Sequence, residues 1–234
     1  MNEHKDNYKA IALRFFKHVY LTYDMVVRVT TFYNDTLWKR EIVKLVPEAC
    51  DVLDLACGTG ILTLLLTGKS NRVYGLDIIY RNLMVAVYKK RKKQEYVNVE
   101  FVNADAEYIP FKDNAFDVVT ASYLPKYVNA KLLIRECKRV LKDNGIIILH
   151  DFVYPRCISV RYLWHFYFLI LKFVGIFAKE WRSIFYELDR VIADSRWIDD
   201  VFNELNANGF TCVNCRYLTL GTAAIVYAKV RKQY

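Results

Sequence analysis

The chain has 234 residues, 54% of them hydrophobic, and carries a formal net charge of +9 at pH 7. This apolar content is enough to bury a full core, and we expect residues 1–234 to form one domain. The first residues lack the apolar segment of a signal peptide and the six cysteines are scattered, which argues against a secreted protein and for a reducing cytoplasm.

The region up to about Pro47 is helical in pattern and rich in aromatic side chains. We predict that residues 1–47 form a helical cover over the mouth of a cofactor site.

An apolar strand that starts near Asp51 ends on a tight glycine turn, just before the helical pattern that begins at Ile61. In such a turn, backbone N–H groups and a helix N-terminus can approach a ligand closely. The strand end and the turn therefore predict a site for a nucleotide-like cofactor, formed by Asp54, Ala56, Cys57, Gly58, Thr59 and Gly60.

The charge of this turn favours S-adenosyl-L-methionine as the cofactor. A dinucleotide fingerprint needs three spaced glycines, and only Gly58 and Gly60 are present. The carboxylate of Asp54 would repel a pyrophosphate but attract the ammonium or sulfonium end of S-adenosyl-L-methionine. A nicotinamide dehydrogenase is the alternative that this charge pattern disfavours.

Three further strand-like runs end in small or acidic residues. They are Arg72–Asp77, Val97–Val102 and Phe116–Ser122. Ligands of open α/β sheets bind outside the carboxyl ends of the strands, where Asp77 can accept both ribose hydroxyls of an adenosine. We therefore expect the cofactor to lie along this edge of the sheet, next to Asp77 and Ile78.

A helical pattern over Tyr80–Lys92 ends in the basic run from Lys89 to Lys93. Cations at the end of a helix complement its dipole, so a solvated helix end explains the run without a partner. Contact with a membrane surface is the second interpretation that we keep for this charge.

The rest of the chain predicts how the sheet is completed. A helix over Ala130–Leu141 leads through the turn at Asn144 into a strand over Ile146–Leu149. The runs Thr211–Leu218 and Gly221–Val230 are joined so tightly that only antiparallel neighbours fit. We predict an α/β fold with a Rossmann-like, mostly parallel seven-stranded sheet and a closing antiparallel hairpin, which is the architecture of class I methyltransferases.

An apolar insertion, residues 154–197, precedes the last two strands. Its run from Tyr162 to Ala178 approaches the length of a transmembrane helix, but His165 and Lys172 interrupt it. We interpret the insertion as a lid or interfacial helix that faces an apolar substrate. A buried core helix and a membrane span are the alternatives.

Metal chemistry has little support in the sequence. The four histidines show no pairing at metal-ligand spacing, and Cys212 and Cys215 fall in a strand-like run where residues three apart point to opposite faces. His150 beside Asp151 is either catalytic or a polar strand end.

With these segments in view, the chain resembles the ubiquinone/menaquinone biosynthesis C-methyltransferases over nearly its full length. The residues that carry the resemblance are Tyr23 to Met25 with Leu37 to Arg40, Asp54 to Gly60, Arg139 to Lys142 with Gly145, and Leu218 to Gly221. The resemblance implies cofactor contacts for Thr59 in the loop, Asp77 at the ribose, Asp105 and Ala106 near the adenine, and Ser122 after the fourth strand.

The resemblance also implies an acceptor, an aromatic small molecule of the prenylated quinol type, methylated on carbon. After the fourth strand, where the family has Phe-Gly-Leu-Arg-Asn, this chain reads Tyr-Leu-Pro-Lys-Tyr over residues 123–127. Lys126 keeps the charge of the family's arginine but not its planar fork of donors, and the asparagine is replaced. An Asn-Asp pair of the N-terminal signature is also replaced, by Val27 and Arg28.

We expect Lys126 to stabilise a phenolate that makes a ring carbon nucleophilic, while Tyr23, Asp24 or Tyr127 orients the ring. A solvated surface position is the alternative for Lys126.

Two other functions stay open at this stage. The first is a methyltransferase for nucleic acid or protein, which lacks support because no Asn/Asp-Pro-Pro-aromatic run follows the fourth strand. The second is a non-catalytic partner in a quinone-synthesis complex, which binds the cofactor only.

Overall fold

Seven strands form one mixed sheet in the computed structural model, which describes residues 3–93 and 96–231. The strands are β1 (Asp51–Leu55), β2 (Arg72–Asp77), β3 (Val99–Asn103), β4 (Phe116–Ser122), β5 (Leu141–Phe152), β6 (Phe210–Leu218) and β7 (Ala223–Val230). Their order is β3-β2-β1-β4-β5-β7-β6, and only β7 runs antiparallel to its neighbours β5 and β6. The predicted Rossmann-like sheet with a closing hairpin is confirmed.

Helices fill the connections between these strands. They are α1 (Glu3–Phe16), α2 (Tyr23–Thr30), α3 (Asn34–Leu45), α4 (Ile61–Leu66), α5 (Tyr80–Lys92), α6 (Ala130–Val140), α7 (Ile158–Phe177), α8 (Arg182–Asp194) and α9 (Trp197–Ala207). Short 3₁₀ turns lie at Pro125–Tyr127, Lys179–Trp181 and Thr219–Gly221. The first three helices come from the region up to residue 47, and α7 and α8 form the insertion.

The sheet separates two apolar cores. Leu53 of β1 belongs to a cluster that includes residues of α6 and α9, whereas its neighbour Val52 belongs to one that includes residues of α3 and α4. Adjacent residues of a strand point to opposite faces of the sheet. A sheet that is covered on both faces therefore needs strands in which nearly every residue is apolar.

A third cluster joins the N-terminal helices to the insertion. Phe15 of α1 packs in it with Trp164 and Phe168 of α7, with Trp181, and with Phe185 of α8. These aromatic side chains lie beyond the carboxyl edge of the sheet, so α1 and the insertion form the roof of whatever binds there.

Helix α7 is apolar enough and long enough to cross a membrane, by length and composition alone. Only 22% of its most apolar window is buried, and its buried residues are Trp164, Phe168, Leu171 and Gly175. The structure therefore excludes the alternative of a buried core helix, because only one stripe of α7 side chains packs inward and most of the helix surface is exposed.

The turn predicted at Asn144 lies inside β5 instead of before it. Phe116 pairs with Leu141, but the next pair joins Val118 to Ile146, so a bulge absorbs the extra residues. Asn144 has a φ of 60°. A Cβ at Gly145 would lie 2.8 Å from the carbonyl oxygen of Lys142, so this position admits only glycine.

A second bulge lies in β6. The pairing with β7 shifts between Thr211 and Asn214, and Cys212 has a φ of 52°. The simple alternation expected for Cys212 and Cys215 is interrupted there, since a bulge adds a residue to one strand. Both thiols are free, and Cys212 is exposed.

Candidate active site

A cleft lies at the carboxyl edge of the sheet, under α1. We call it the edge cleft; its empty space, part of which is open to solvent, is about 800 Å³. The predicted cofactor residues among its walls are Ala56, Gly58, Thr59, Asp77, Ile78, Asp105, Ala106 and Ser122. The four strand ends that the sequence singled out thus meet at one site.

The glycine turn forms the floor of the edge cleft. Gly58 has a φ of 56°, and a Cβ built on it would meet nothing within 4 Å, so its backbone is open to a ligand. Gly60 does not line the cleft. It has a φ of 81° and precedes α4, and a Cβ there would lie 3.0 Å from that of Ala86. Glycine is needed at this position for its conformation and for the close packing of α5.

Asp77 ends β2 with its carboxylate facing the turn. One oxygen accepts a hydrogen bond from the N–H of Gly58 at 2.8 Å, and the other accepts from the N–H of Ile79 at 2.7 Å. Burial raises the pKa of Asp77 to about 6 against these bonds. Each oxygen has a second lone pair, so both can still accept a hydroxyl.

Asp54 lies beneath the turn, outside the edge cleft. Its oxygens accept hydrogen bonds from the hydroxyls of Thr63 at 2.7 Å and Thr120 at 2.8 Å, and burial raises its pKa to about 6. Asp54 lines a small adjoining space, which we call the small chamber, together with Cys57 and the buried Lys39. The structure thus separates Asp54 and Cys57 from the main cleft.

Asp24 joins α2 to the glycine turn. Its carboxylate accepts a hydrogen bond from the Thr59 hydroxyl at 2.5 Å and is paired with Lys89, which also donates to the carbonyl of Thr59 at 2.9 Å. Asp24 lines neither the edge cleft nor the small chamber. Asp24 thus contacts Thr59 and Lys89, whereas the sequence suggested that it orients the acceptor ring.

Helix α1 closes the far end of the edge cleft through Lys9. The Lys9 ammonium pairs with Asp105 and donates to Glu107 at 2.8 Å. The two acceptors lie in the loop after β3, where the adenine is expected. Lys9 could not be predicted from the sequence, because a lysine on a helical face carries no signal until the helix is placed.

A larger, apolar cavity adjoins the edge cleft. Its empty space, part of which is open to solvent, is about 1620 Å³, and it is lined by side chains of α2, α3, α7 and α8 and of the segment after β4. The two spaces adjoin at four aromatic residues that line both of them, which we call the shared wall: Phe16, Tyr23, Tyr123 and Tyr127. Anything bound in the cavity therefore lies next to anything bound in the cleft.

Lys126 faces the apolar cavity and is buried, with 6% of its surface exposed. Its ammonium pairs with the carboxylate of Asp151, and it lies 4.4 Å from the ring centroid of Tyr127. Burial lowers the pKa of Lys126, although Asp151 acts in the opposite direction. The solvated surface position considered as the alternative for Lys126 is excluded.

The shared wall is held from both sides. Tyr123 has a φ of 66°, its hydroxyl donates to Asp35 at 2.8 Å, and its ring stacks on Phe152 with centroids 4.8 Å apart. A non-glycine residue at positive φ is a strained conformation that recurs at functional sites. Tyr23 stacks on Trp181 at 6.2 Å, so α2 is aligned against the insertion.

Two buried polar atoms have no hydrogen-bond partner within residues 3–93 and 96–231. They are the hydroxyl of Tyr127 and the Nε2 of His150. The other ring nitrogen of His150 lies 2.9 Å from the Ser122 hydroxyl, and burial together with Lys39 and Lys126 lowers the pKa of His150. Of the two atoms, only the Tyr127 hydroxyl belongs to a residue that lines the cavity.

A metal cluster is not part of this site. Within the part of the chain that the structure describes, no group of three or more His, Cys, Asp or Glu side chains could hold a metal ion.

The comparisons with known proteins agree with this geometry. The ubiE/COQ5 methyltransferase family matches residues 1–229. The demethylmenaquinone methyltransferase of Geobacillus sp. (strain WCH70) is 29% identical over 221 residues, which cover 90% of this chain and 92% of the relative. The ubiquinone/menaquinone biosynthesis C-methyltransferase UbiE of Geotalea daltonii is 30% identical and covers 87% and 89%.

Among solved structures, the geranyl diphosphate C-methyltransferase of Streptomyces coelicolor A3(2), in complex with S-adenosyl-L-homocysteine, matches with a TM-score of 0.62. The match covers 83% of this chain and 79% of the other at 14% identity, which supports a common fold. The open glycine turn and the acidic strand ends fit S-adenosyl-L-methionine. The chain thus belongs to the ubiE/COQ5 methyltransferase family and is an S-adenosyl-L-methionine-dependent methyltransferase.

Proposed function

We propose that this enzyme methylates a ring carbon of an aromatic, prenylated quinol-type acceptor. The observation that carries the proposal is the apolar cavity, which meets the edge cleft at the residues of the shared wall. A ring at that wall would lie next to the methyl donor, and the cavity has room for an apolar tail. The names of the relatives, demethylmenaquinone methyltransferase and ubiquinone/menaquinone C-methyltransferase, support the same acceptor class.

We assign the cofactor to the edge cleft and the small chamber. Asp77 would hold the ribose, and Asp105 with Ala106 would lie beside the adenine, with Ile78 and Ser122 along the same edge. In the small chamber, the Asp54 carboxylate offers a negative charge to the ammonium of the amino-acid end, and Lys39, which pairs with Asp35, lies on the same chamber wall.

The cofactor supplies an electrophilic methyl group on a sulfonium, and the protein must hold the acceptor carbon in line with it. The acceptor hydroxyl would first lose its proton to give a phenolate, and a bond would form between the ring carbon and the methyl carbon as the carbon–sulfur bond broke. The methylated carbon would then lose its own proton while the oxygen regained one, which restores the aromatic quinol. We assign to Lys126 the stabilisation of the resulting phenolate oxygen, and to Tyr23 the orientation of the ring. Aromatic side chains around the site exclude water, which strengthens these interactions.

We assign to Asp24 a different role from the catalytic one that the sequence suggested. Its bonds to Thr59 and Lys89 connect α2, which carries Tyr23, to the cofactor turn. Asp24 is therefore proposed as a positioning residue.

We also propose that residues 1–234 act as one domain in the cytoplasm and meet the membrane transiently, because a prenylated acceptor partitions into lipid.

The test is methyl transfer from labelled S-adenosyl-L-methionine to a demethylated quinol in detergent, with chromatographic identification of the product. We expect a labelled C-methylated quinol. Labelling of nucleic acid or protein instead would overturn the acceptor assignment, and cofactor binding without transfer to any lipid fraction would favour a non-catalytic partner in a quinone-synthesis complex.

A further inference from the structure

We propose that the outer face of α7 docks on an anionic lipid bilayer and that the acceptor passes from the bilayer directly into the apolar cavity. This inference rests on the proposed function, since it gives the lipid-soluble acceptor a route to the site.

The side chains of α7 fall into three sectors around the helix. Trp164, Phe168 and Leu171 form the buried sector that packs in the aromatic cluster with α8. Leu163 and Ile170 lie to one side of it and line the apolar cavity. At 100° per residue, the remaining sector faces away from the protein.

The outward sector is apolar and exposed. Leu169, Phe173 and Phe177 line none of the cavities described above, and 63%, 62% and 75% of their surfaces are exposed. The rings of Phe173 and Phe177 lie 5.7 Å apart, so they form a continuous patch. Apolar patches of this kind mark contacts with a membrane or another protein.

The mouth of the apolar cavity opens beside this patch. Phe32, Phe166 and Leu220 line the cavity and are also 74%, 60% and 74% exposed. The ring of Phe32 contacts that of Tyr167 on α7, with centroids 5.9 Å apart. A surface that covered the outer face of α7 would therefore meet the cavity mouth as well.

The charges around α7 favour an anionic lipid surface as the occupant. Residues 158–177 contain no Asp or Glu. Arg156 precedes the helix, and Lys179, Glu180 and Arg182 follow it, so three of these four exposed charges are positive. Cations at the ends of an apolar helix attract lipid phosphates, whereas a second copy of the same surface would bring like charges together.

The contacts of α7 favour a helix that lies on the bilayer over one that spans it. Lys172 pairs with Asp189 of α8, and the Arg182 guanidinium donates to the carbonyls of Gly175 and Ile176. A Cβ at Gly175 would lie 3.3 Å from the ring of Tyr186, so the two helices are closely packed. Insertion across a membrane would break these contacts, whereas interfacial docking keeps them.

The experiment is co-sedimentation of the full chain with phosphatidylcholine vesicles, with and without phosphatidylglycerol, in the absence of any acceptor. The test variant is Phe173→Ser/Phe177→Ser. The control is Met84→Ser/Tyr88→Ser on α5, a pair with the same spacing, 52% and 57% exposed. Circular dichroism verifies that both variants are folded.

We expect the wild type and the control to bind the anionic vesicles, and the partition coefficient of the test variant to fall by about ten-fold or more. Both variants should methylate a short-chain, water-soluble quinol as the wild type does, whereas the test variant should lose activity toward a vesicle-embedded acceptor.

Equal binding of the test variant and the wild type would overturn the proposal, as would absence of vesicle binding by the wild type. A wild-type dimer that the test variant converts to a monomer would overturn it in favour of a second copy. Because vesicle binding is measured without acceptor, a wrong assignment of the acceptor would leave this result unchanged.

Discussion

At the residue scale, the active site combines positions that a sequence pattern identifies with positions that only the fold brings together. Asp77 could be predicted, because an acidic residue at the end of a strand after a glycine turn is a local pattern. Lys9 could not, since its two acceptors lie 96 and 98 residues away along the chain. The partner of Lys126 was equally hidden, because the pairing of β4 with β5 places Asp151 beside it.

Tyr127 provides a test of the shared wall. Its hydroxyl is buried without a partner, which costs the folded state roughly 1–3 kcal/mol. Burial, followed by Asp151, raises the pKa of Tyr127, so the hydroxyl stays a neutral donor at pH 7. We expect Tyr127→Phe to leave thermal stability unchanged or higher, and to lower kcat/KM for the quinol by about ten-fold through loss of one hydrogen bond.

The matched control for Tyr127 is Tyr167→Phe. Tyr167 also lines the apolar cavity, but its hydroxyl donates to the carbonyl of Thr30 at 2.6 Å. This variant should lose about 1 kcal/mol of stability. Thermal denaturation and steady-state kinetics of Tyr127→Phe and Tyr167→Phe measure these effects. Unchanged kinetics of Tyr127→Phe would exclude a contact between the Tyr127 hydroxyl and the acceptor.

At the element scale, α1 is the cover of the edge cleft. Lys9 attaches it to Asp105 and Glu107 at the adenine end, and Phe16 belongs to the shared wall at the other end. We expect Lys9→Ala to open this cover and to raise the dissociation rate of S-adenosyl-L-homocysteine several-fold, because loop or helix opening limits many ligand release steps.

The control for Lys9 lies on the same helix. Arg14 pairs with Glu187 of α8, and both side chains are largely exposed, so Arg14→Ala should change the rate little. Stopped-flow displacement of the bound product measures both variants. Equal dissociation rates of Lys9→Ala and the wild type would show that α1 does not gate the cleft.

At the scale of the whole molecule, periodic apolar patterns predicted the strands of the sheet but neither its bulges nor the apolar cavity beside it. Tyr80–Lys92 and Phe116–Ser122 appear with the bounds expected from the sequence, because each is a periodic segment bounded by clear turn residues. The bulges in β5 and β6 were missed, since they depend on pairing with a neighbouring strand. The apolar cavity could not be foreseen either, because it forms only where the N-terminal helices meet α7 and α8.

The stability of the whole molecule should report the state of Asp77. Its folded-state pKa of about 6 lies above the ordinary value of 3.8, mainly through burial, so the folded protein binds the proton more tightly than the unfolded chain. The contribution of Asp77 to stability is then greatest below its unfolded pKa and falls as pH rises between about pH 4 and pH 6. The loss is about 3 kcal/mol at most, from 1.36 kcal/mol per pKa unit. Asp77→Asn has no such group, so its stability relative to the wild type should improve over this range.

Asp117 supplies a control of opposite sign for that experiment. Burial acts to raise the pKa of Asp117. The hydrogen bonds that its carboxylate accepts from Lys142 and from the N–H of Asp51 nevertheless lower this pKa overall. A carboxylate with a lowered pKa stabilises the fold above its unfolded pKa and loses that contribution as pH falls. Urea unfolding of the ligand-free wild type, Asp77→Asn and Asp117→Asn across this pH range measures how the stability of each variant differs from that of the wild type. If the advantage of the wild type over Asp77→Asn grew as pH rose, the Asp77 carboxylate would be stabilised by its bonds to Gly58 and Ile79 more than burial opposes it, and the prediction would be wrong.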